Sequence, residues 1–410
     1  MTFKKNNLLR SILIVCVLFL SNSCKQKKQS QTNLNENQEA VIPDSLKWSE
    51  RMALSVIKRY PEAWQIDDRT ETKWDYKIGM FCLSLQKLYD VTGKDIYFNY
   101  GKDYADTIIN SKGQIKNYKL NDYNIDNINA GKILFDIYET TQNPKFLTAL
   151  KTLRKQLETH LRTPSGGFWH KRIYPNQMWL DGLYMGQPFY ARYNTEFENG
   201  EKLDDVAHHF KLLHDHTLDE VTGLYFHAWD ESKQMDWANK ETGTAPNFWL
   251  RALGWYAMAL VDTLDYFPED HKKKQLLIDY LNQLAEAIEK YQDETGLWYQ
   301  VPNMPDKEPN YLEASGSCML TYALAKGANK GYLPENYLNV ANKGFNGIVN
   351  ELIKVDDNGE VHITQVCKSA GLGGNPYRDG SFEYYMSEPI LTDNSHGLGP
   401  FVLAAIELNR

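Results

Sequence analysis

The chain has 410 residues, 42% of them hydrophobic and 13% aromatic, with 26 tyrosines and 10 tryptophans. That composition supports a large apolar core, as one big domain or two ordinary ones. The net charge is −8, and no basic tract follows the N-terminal segment, which excludes nucleic acid as an expected partner.

The N-terminus reads as a targeting segment. Lys4, Lys5 and Arg10 form a basic region, and "SILIVCVLFL" forms an apolar stretch too short to span a bilayer. Small residues then lead to Cys24 in "SNSC", which resembles a bacterial lipoprotein signal over residues 1–24 with Cys24 as the lipidated residue. The pattern departs at Ser21, where such signals favour leucine. This predicts an exported, lipid-anchored protein facing the periplasm or the cell surface. Membrane contact is then expected only through the anchor. Residues 25–44 are polar and predict a tether. Beyond them stand Cys82, Cys318 and Cys367, too few and too scattered for a disulfide framework.

From residue 45 to residue 410 one theme repeats: an amphipathic helix, a short break, another helix. Period and stop signals place helix starts near Ser45, Trp74, Asp95, Tyr123, Pro144, Asn176, Lys202, Asn247, His271, Leu312, Glu335 and His396. The breaks in "DVTGKDIYFNY" and "ETTQNPKFLTAL" look alike, as in repeated αα-hairpins. Strand signals are short and Gly-led: "GGFWHKR", "GLYFHAWD", "GLWYQV" and "VHITQVC". Six helical hairpins with brief β excursions predict an all-α toroid, an (α/α)6 barrel, in a single domain over 45–410.

The segments before the inner helices carry the residues of chemical interest. Trp74 and Tyr76 stand in "WDYKIG", Asp126 in "NDYNIDNINAG", and His170 and Asp181 in "GGFWHKRIYPNQMWLDG". His227 follows in "GLYFHAWD", then Trp249, Arg251 and Trp255 in "NFWLRALGWY", and Arg378 in "NPYRDGSFEYY". Acids, imidazoles, arginines and indoles at one level fit an anionic sugar: Arg pairs with a carboxylate, Trp stacks on a ring, an acid moves protons. Asp181 sits among Met178, Trp179, Leu180, Leu183 and Tyr184 with no cation within four residues. Burial there predicts a raised proton affinity. The histidines of "HHFKLLHDH" lack a completing carboxylate or cysteine set, and no metal or cofactor is expected.

Four motifs in register, "MWLDGLYMGQPFYARY", "GLYFHAWD", "WLRALGWYAMALVD" and "YRDGSFEYYMSEP…GLGPFVLA", resemble the unsaturated rhamnogalacturonyl hydrolases of glycoside hydrolase family 105, related to the unsaturated glucuronyl hydrolases of family 88. The likeness runs from about Trp74 to the C-terminus and implies an (α/α)6 barrel. It implies Asp181 as the proton-transferring acid and Asp126 as the second catalytic aspartate. Trp74, Tyr76, His170, His227, Trp249, Arg251 and Trp255 then fall on substrate-binding positions. Arg378 joins them on its loop position. The implied substrates are oligosaccharides left by polysaccharide lyases, whose terminal uronic acid carries a C4=C5 double bond. Two alternatives stay open from the residues alone: a conventional inverting glycosidase using both aspartates, and a surface lipoprotein that binds glycans without turnover.

Overall fold

The computed structural model describes residues 41–410. The targeting segment, Cys24 and most of the tether lie outside the described residues. The globular unit begins earlier than residue 45: Ile42 is buried and its N–H donates to the Asn358 carbonyl at 2.9 Å. The last residues assigned to the tether therefore belong to the fold.

The helices are α1 (Trp48–Arg59), α2 (Tyr76–Thr92), α3 (Asp95–Ile108), α4 (Asp126–Asn129), α5 (Ile133–Thr141), α6 (Pro144–Thr159), α7 (Leu180–Phe197), α8 (Leu203–Thr217), α9 (Leu250–Leu264), α10 (Lys274–Lys290), α11 (Ala314–Asn329), α12 (Tyr337–Gly347), α13 (Phe382–Ser387) and α14 (Ser395–Glu407). A 3₁₀ turn at Ala130–Lys132 joins α4 to α5, so the two act as one element. Apart from the short α13, the elements alternate between two concentric rings. The inner ring runs α2, α4–α5, α7, α9, α11 and α14, and α14 closes back on α2. Outside it, α1 packs on α14, α3 on α2, α6 on α5, α8 on α7, α10 on α9 and α12 on α11. This is the expected (α/α)6 barrel.

Sequence explains which ring each helix joins. In α9 every residue from Leu250 to Leu264 is buried, as befits an element covered on all sides. In α6 burial falls on Phe146, Ala149, Leu150, Leu153, Gln156 and Leu157, a single face at helical spacing. Close approach in the inner ring depends on glycine. A Cβ at Gly79 of α2 would lie 2.4 Å from the Ala130 Cα, and one at Gly316 of α11 would lie 2.5 Å from Leu250 of α9. Of the expected helix starts, Asn176 against the observed Leu180 shows the largest offset, because Gln177–Trp179 are taken by a strand.

The strands are β1 (Gln177–Trp179), β2 (Ala228–Asp230), β3 (Ile353–Val355), β4 (Val361–Ile363), β5 (Val366–Cys367) and β6 (Ile390–Leu391), in antiparallel pairs β1–β2, β3–β4 and β5–β6. "GLYFHAWD" and "VHITQVC" thus carry strands as expected. "GGFWHKR" and "GLWYQV" make only isolated bridges, such as Arg162 with Phe168 and Tyr299 with Leu312. The three remaining cysteines are free and buried.

Candidate active site

Every inner element opens its first turn with a polar side chain that faces one end of the barrel. Tyr76 and Asp126 are the first residues of α2 and α4; Asp181, Arg251, Ser315 and His396 are the second residues of α7, α9, α11 and α14. Contacts tie these starts together. The Tyr76 hydroxyl meets His396 Nε2 at 2.7 Å, and Arg251 Nη1 donates to Ser315 Oγ at 3.2 Å. Burial raises the Tyr76 pKa well above its ordinary value, and the charges of Asp126 and Asp181 add to that while Arg251 opposes it. Converging helix N-termini give the cleft a positive field that favours an anion.

The β1–β2 ladder sets Asp181 beside His227. Trp179 pairs with Ala228, and the Leu180 N–H donates to the His227 carbonyl at 3.1 Å. His227 Nε2 then lies 3.3 Å from Asp181 Oδ2, and its Nδ1 meets the Tyr385 hydroxyl at 2.8 Å. This corrects the expectation of an acid kept neutral by its surroundings. Burial acts to raise the Asp181 pKa, but the His227 and His170 imidazoles outweigh it and hold the carboxyl below its ordinary value. The partner absent from the neighbouring sequence arrives from a loop 46 positions away in the chain (227 − 181).

Asp126 is held by its own partners. His170 Nε2 lies 3.3 Å from Oδ1 and Lys171 Nζ 2.6 Å from Oδ2. Lys171 thus neutralises the like charge expected to act on Asp181. Burial, partly offset by Asp126, takes the His170 pKa down to about 4. The His170 ring stacks on Trp179 with 4.5 Å between centroids, and Trp179 stacks on Tyr174 at 5.0 Å, forming one wall.

Arg251 is 1% exposed, and its Nε and Nη2 have no hydrogen-bond partner among the described residues. Nη1 donates to the Cys367 carbonyl at 2.5 Å, and the guanidinium lies 4.6 Å from the Trp249 ring centre. Its link to a carboxylate runs through Ser315, whose hydroxyl donates to Glu313 at 2.7 Å. A buried cation so sparsely answered is costly unless an anion completes it.

The structure therefore brings together Tyr76, Asp126, His170, Asp181, His227 and Arg251, with Trp249 behind them between His227 and Tyr385. Three expected substrate contacts have other work. Trp74 donates to the Asn127 carbonyl at 2.7 Å and stacks on Tyr104, bracing α2 against α4. Trp255 lies one turn deeper than Arg251, buried and stacked on Tyr184 at 4.8 Å. Arg378 spends Nε on the Gly373 carbonyl and Nη2 on the Leu372 carbonyl and the Tyr174 hydroxyl, so it props the wall. Sequence reasoning missed the wall formed by Trp179 and Tyr174, the pairing of Lys171 with Asp126, and the ring-closing residues Ser315, Tyr385 and His396. The shared position at the helix starts was the available signal for Ser315 and His396.

The "HHFKLLHDH" histidines part company. His208 faces the Ser165 carbonyl, His209 the Asp205 carbonyl, His214 the Tyr225 hydroxyl, and His216 stacks on Trp229. Among the described residues no group of three or more His, Cys, Asp or Glu is arranged to hold a metal ion. A cavity of about 290 Å3 lies among the C-terminal turns of the inner helices, where Lys326 bridges Asp262 (2.7 Å) and Asp265 (2.6 Å).

Residues 48–410 match the sequence model of glycosyl hydrolase family 88. The chain belongs to this family. It is 44% identical to a family 105 glycoside hydrolase of C. acetobutylicum ATCC 824, whose structure superposes with a TM-score of 0.85 over 89% of this chain and 99% of that one. It is 27% identical to the unsaturated rhamnogalacturonyl hydrolase YesR of Bacillus subtilis, over 68% of this chain and 76% of that protein. It is 28% identical to an unsaturated 3S-rhamnoglycuronyl hydrolase of Alteromonas sp. strain LOR, over 56% of this chain and 50% of that protein. The family 88 and 105 assignment makes the chain a glycoside hydrolase of the unsaturated uronyl type, with its first-turn residues at the mouth of the α/α barrel.

Proposed function

We propose that this family 88 protein acts from the chain end, removing the terminal 4,5-unsaturated uronic acid from rhamnose-linked oligosaccharides made by polysaccharide lyases. Rhamnogalacturonan and ulvan fragments are the two candidate sources. The observation that carries the reading is the buried, incompletely satisfied Arg251 among the same helix starts as the Asp181–His227 pair. One supplies a cation for a uronate carboxylate, the other a proton that can move.

The C4=C5–O5 unit is an enol ether. Protonation at C4 by Asp181 places positive charge on C5 and O5. Water adds at C5 as the Asp181 carboxylate takes one of its protons, giving a hemiketal. The C5–O5 bond then breaks to leave a C5 ketone and a hemiacetal at C1, which expels the remaining glycan as an alcohol and becomes an aldehyde. Before substrate arrives, the neighbouring imidazoles hold the Asp181 pKa below its ordinary value. An arriving uronate brings negative charge and displaces water, and both raise the proton affinity of Asp181. His227, whose Nε2 lies 3.3 Å from the carboxylate, is the group to which this reading assigns delivery of that proton.

Lyase-treated rhamnogalacturonan and ulvan oligomers, assayed side by side, test the reading through loss of the double-bond absorbance. Loss with either is expected, with deuterium found at C4 when the reaction runs in heavy water. Equal cleavage of the saturated sugar would mean conventional glycosidic hydrolysis instead. We further propose export and anchoring through a lipid on Cys24. Incorporation of labelled fatty acid, abolished by Cys24→Ala, is the expected result; unchanged labelling in that variant removes the anchor.

A further inference from the structure

His396 takes no part in the proton transfer just described, yet it is buried at the cleft with both ring nitrogens engaged. Nε2 lies 2.7 Å from the Tyr76 hydroxyl, and Nδ1 lies 2.7 Å from Asn394 Oδ1. The direction of each hydrogen follows from Asn394. Its oxygen accepts the His396 backbone N–H as the cap of α14, and its Nδ2 faces Asp67 Oδ1 at 3.4 Å, so turning the amide would set its NH2 against that N–H and its oxygen against the carboxylate. Asp67 is itself fixed by Lys77 at 2.5 Å and by the Ser395 N–H and hydroxyl. An oxygen at Nδ1 puts the imidazole hydrogen there, leaving Nε2 as an acceptor. Tyr76 must then give its only hydrogen to His396.

We propose that Asn394 and His396 are positioning residues that lock the Tyr76 hydroxyl as a hydrogen-bond acceptor, so that the site selects a sugar whose hydroxyl beside Tyr76 is free to donate. The inference rests on the reading of this cleft as the sugar site. Burial keeps His396 uncharged, and Arg251, Lys77 and Arg69 strengthen that effect against a small opposing pull from the Lys368 carbonyl. The relay thus holds at working pH. A cavity of about 370 Å3 opens beside the pair, with Tyr76, Lys77, Lys368, Ser369, Asn394 and His396 in its wall. A neutral phenol oxygen there accepts one hydrogen bond from a ring hydroxyl. An O-methyl or O-sulfo group at that hydroxyl has nothing to donate and places its own oxygens against the phenol lone pairs.

Two measurements on the full-length protein test this. Selective 15N-histidine labelling reads the tautomer without substrate. His396 is expected to be protonated at Nδ1 and neutral between pH 5 and pH 8, with its Nε2 signal shifted in Tyr76→Phe. An Nε2-protonated or charged ring overturns the relay whether or not the protein turns over an unsaturated sugar. Kinetics on an unsaturated disaccharide then read its purpose. His396→Phe is expected to lower kcat/KM ~10-fold, the worth of one hydrogen bond, and to lose nothing further in a Tyr76→Phe background. Losses that multiply would show His396 to be merely structural. If the wild-type protein leaves every unsaturated uronide intact, the functional reading fails while the labelling result still decides the hydrogen-bond direction.

Discussion

His227 stands between Asp181 and Tyr385, 3.3 Å from the carboxylate on one side and 2.8 Å from the phenol on the other. The imidazole thereby sets the charge of the acid and is itself aimed by a buried hydroxyl. Replacing His227 with Gln removes the imidazole that lowers the Asp181 pKa while burial of Asp181 remains. The Asp181 pKa then rises, and the pH at which its carboxyl titrates moves upward. Carboxyl-stretch spectroscopy of the variant against wild type checks this; an unchanged midpoint contradicts it.

Asp181→Asn keeps the shape of the site and cannot transfer a proton. Turnover is expected to fall by ~10²–10⁴-fold or below detection, with substrate affinity and melting temperature little changed. Near-normal loss of the double-bond absorbance in this variant defeats the assignment.

Arg251→Met removes a buried charge that the chain answers only in part. Loss of a charge-assisted contact costs ~1.5–3 kcal/mol, so Kd for the unsaturated disaccharide should rise about 10- to 150-fold. Thermal stability should hold or increase, because the desolvated cation is gone. Calorimetric binding and a melting curve on one sample separate the two outcomes.

Trp255 is the contrasting case. Its ring is buried against Tyr184 below the cleft. Trp255→Ala is expected to cost ~3–5 kcal/mol in stability through cavity formation. Folded enzyme should retain its KM, and a raised KM in fully folded protein would place this indole at the sugar after all.

Stability should fall steeply in mild acid. His160, His170 and His209 are buried, and burial takes each pKa down to about 4 from 6.5. Between these values the unfolded chain binds protons that the folded one does not. Their contribution is therefore complete above pH 6.5 and lost as pH drops toward 4. With three such groups the slope reaches ~4 kcal/mol per pH unit at most. Urea unfolding at pH 5 and pH 7 measures it, and His209→Gln should flatten it by about a third.

Much of the fold was legible because helical periodicity is local. Twelve starts could be read from apolar spacing and stop signals, and their alternation between fully buried and one-faced helices follows from the same residues. Asp126, Asp181 and Arg251 stood out in the sequence because charged residues interrupt apolar helix starts, and the structure gathers them at one end of the barrel. The roles of Trp74, Trp255 and Arg378 were not, since an indole or guanidinium reads the same whether it meets a sugar or a neighbouring loop.

The sequence by itself determined that this chain makes paired helices and puts an acid at the start of one of them. Only the closed ring decided what that acid meets. Helix starts far apart in the chain converge there: Tyr76 meets His396 and Arg251 meets Ser315, while His227 and Lys171 acquire carboxylate partners that no local window contains. Charge state and hydrogen direction at a site depend on distances of a few ångströms across the barrel. Spacing along the chain carries no record of them.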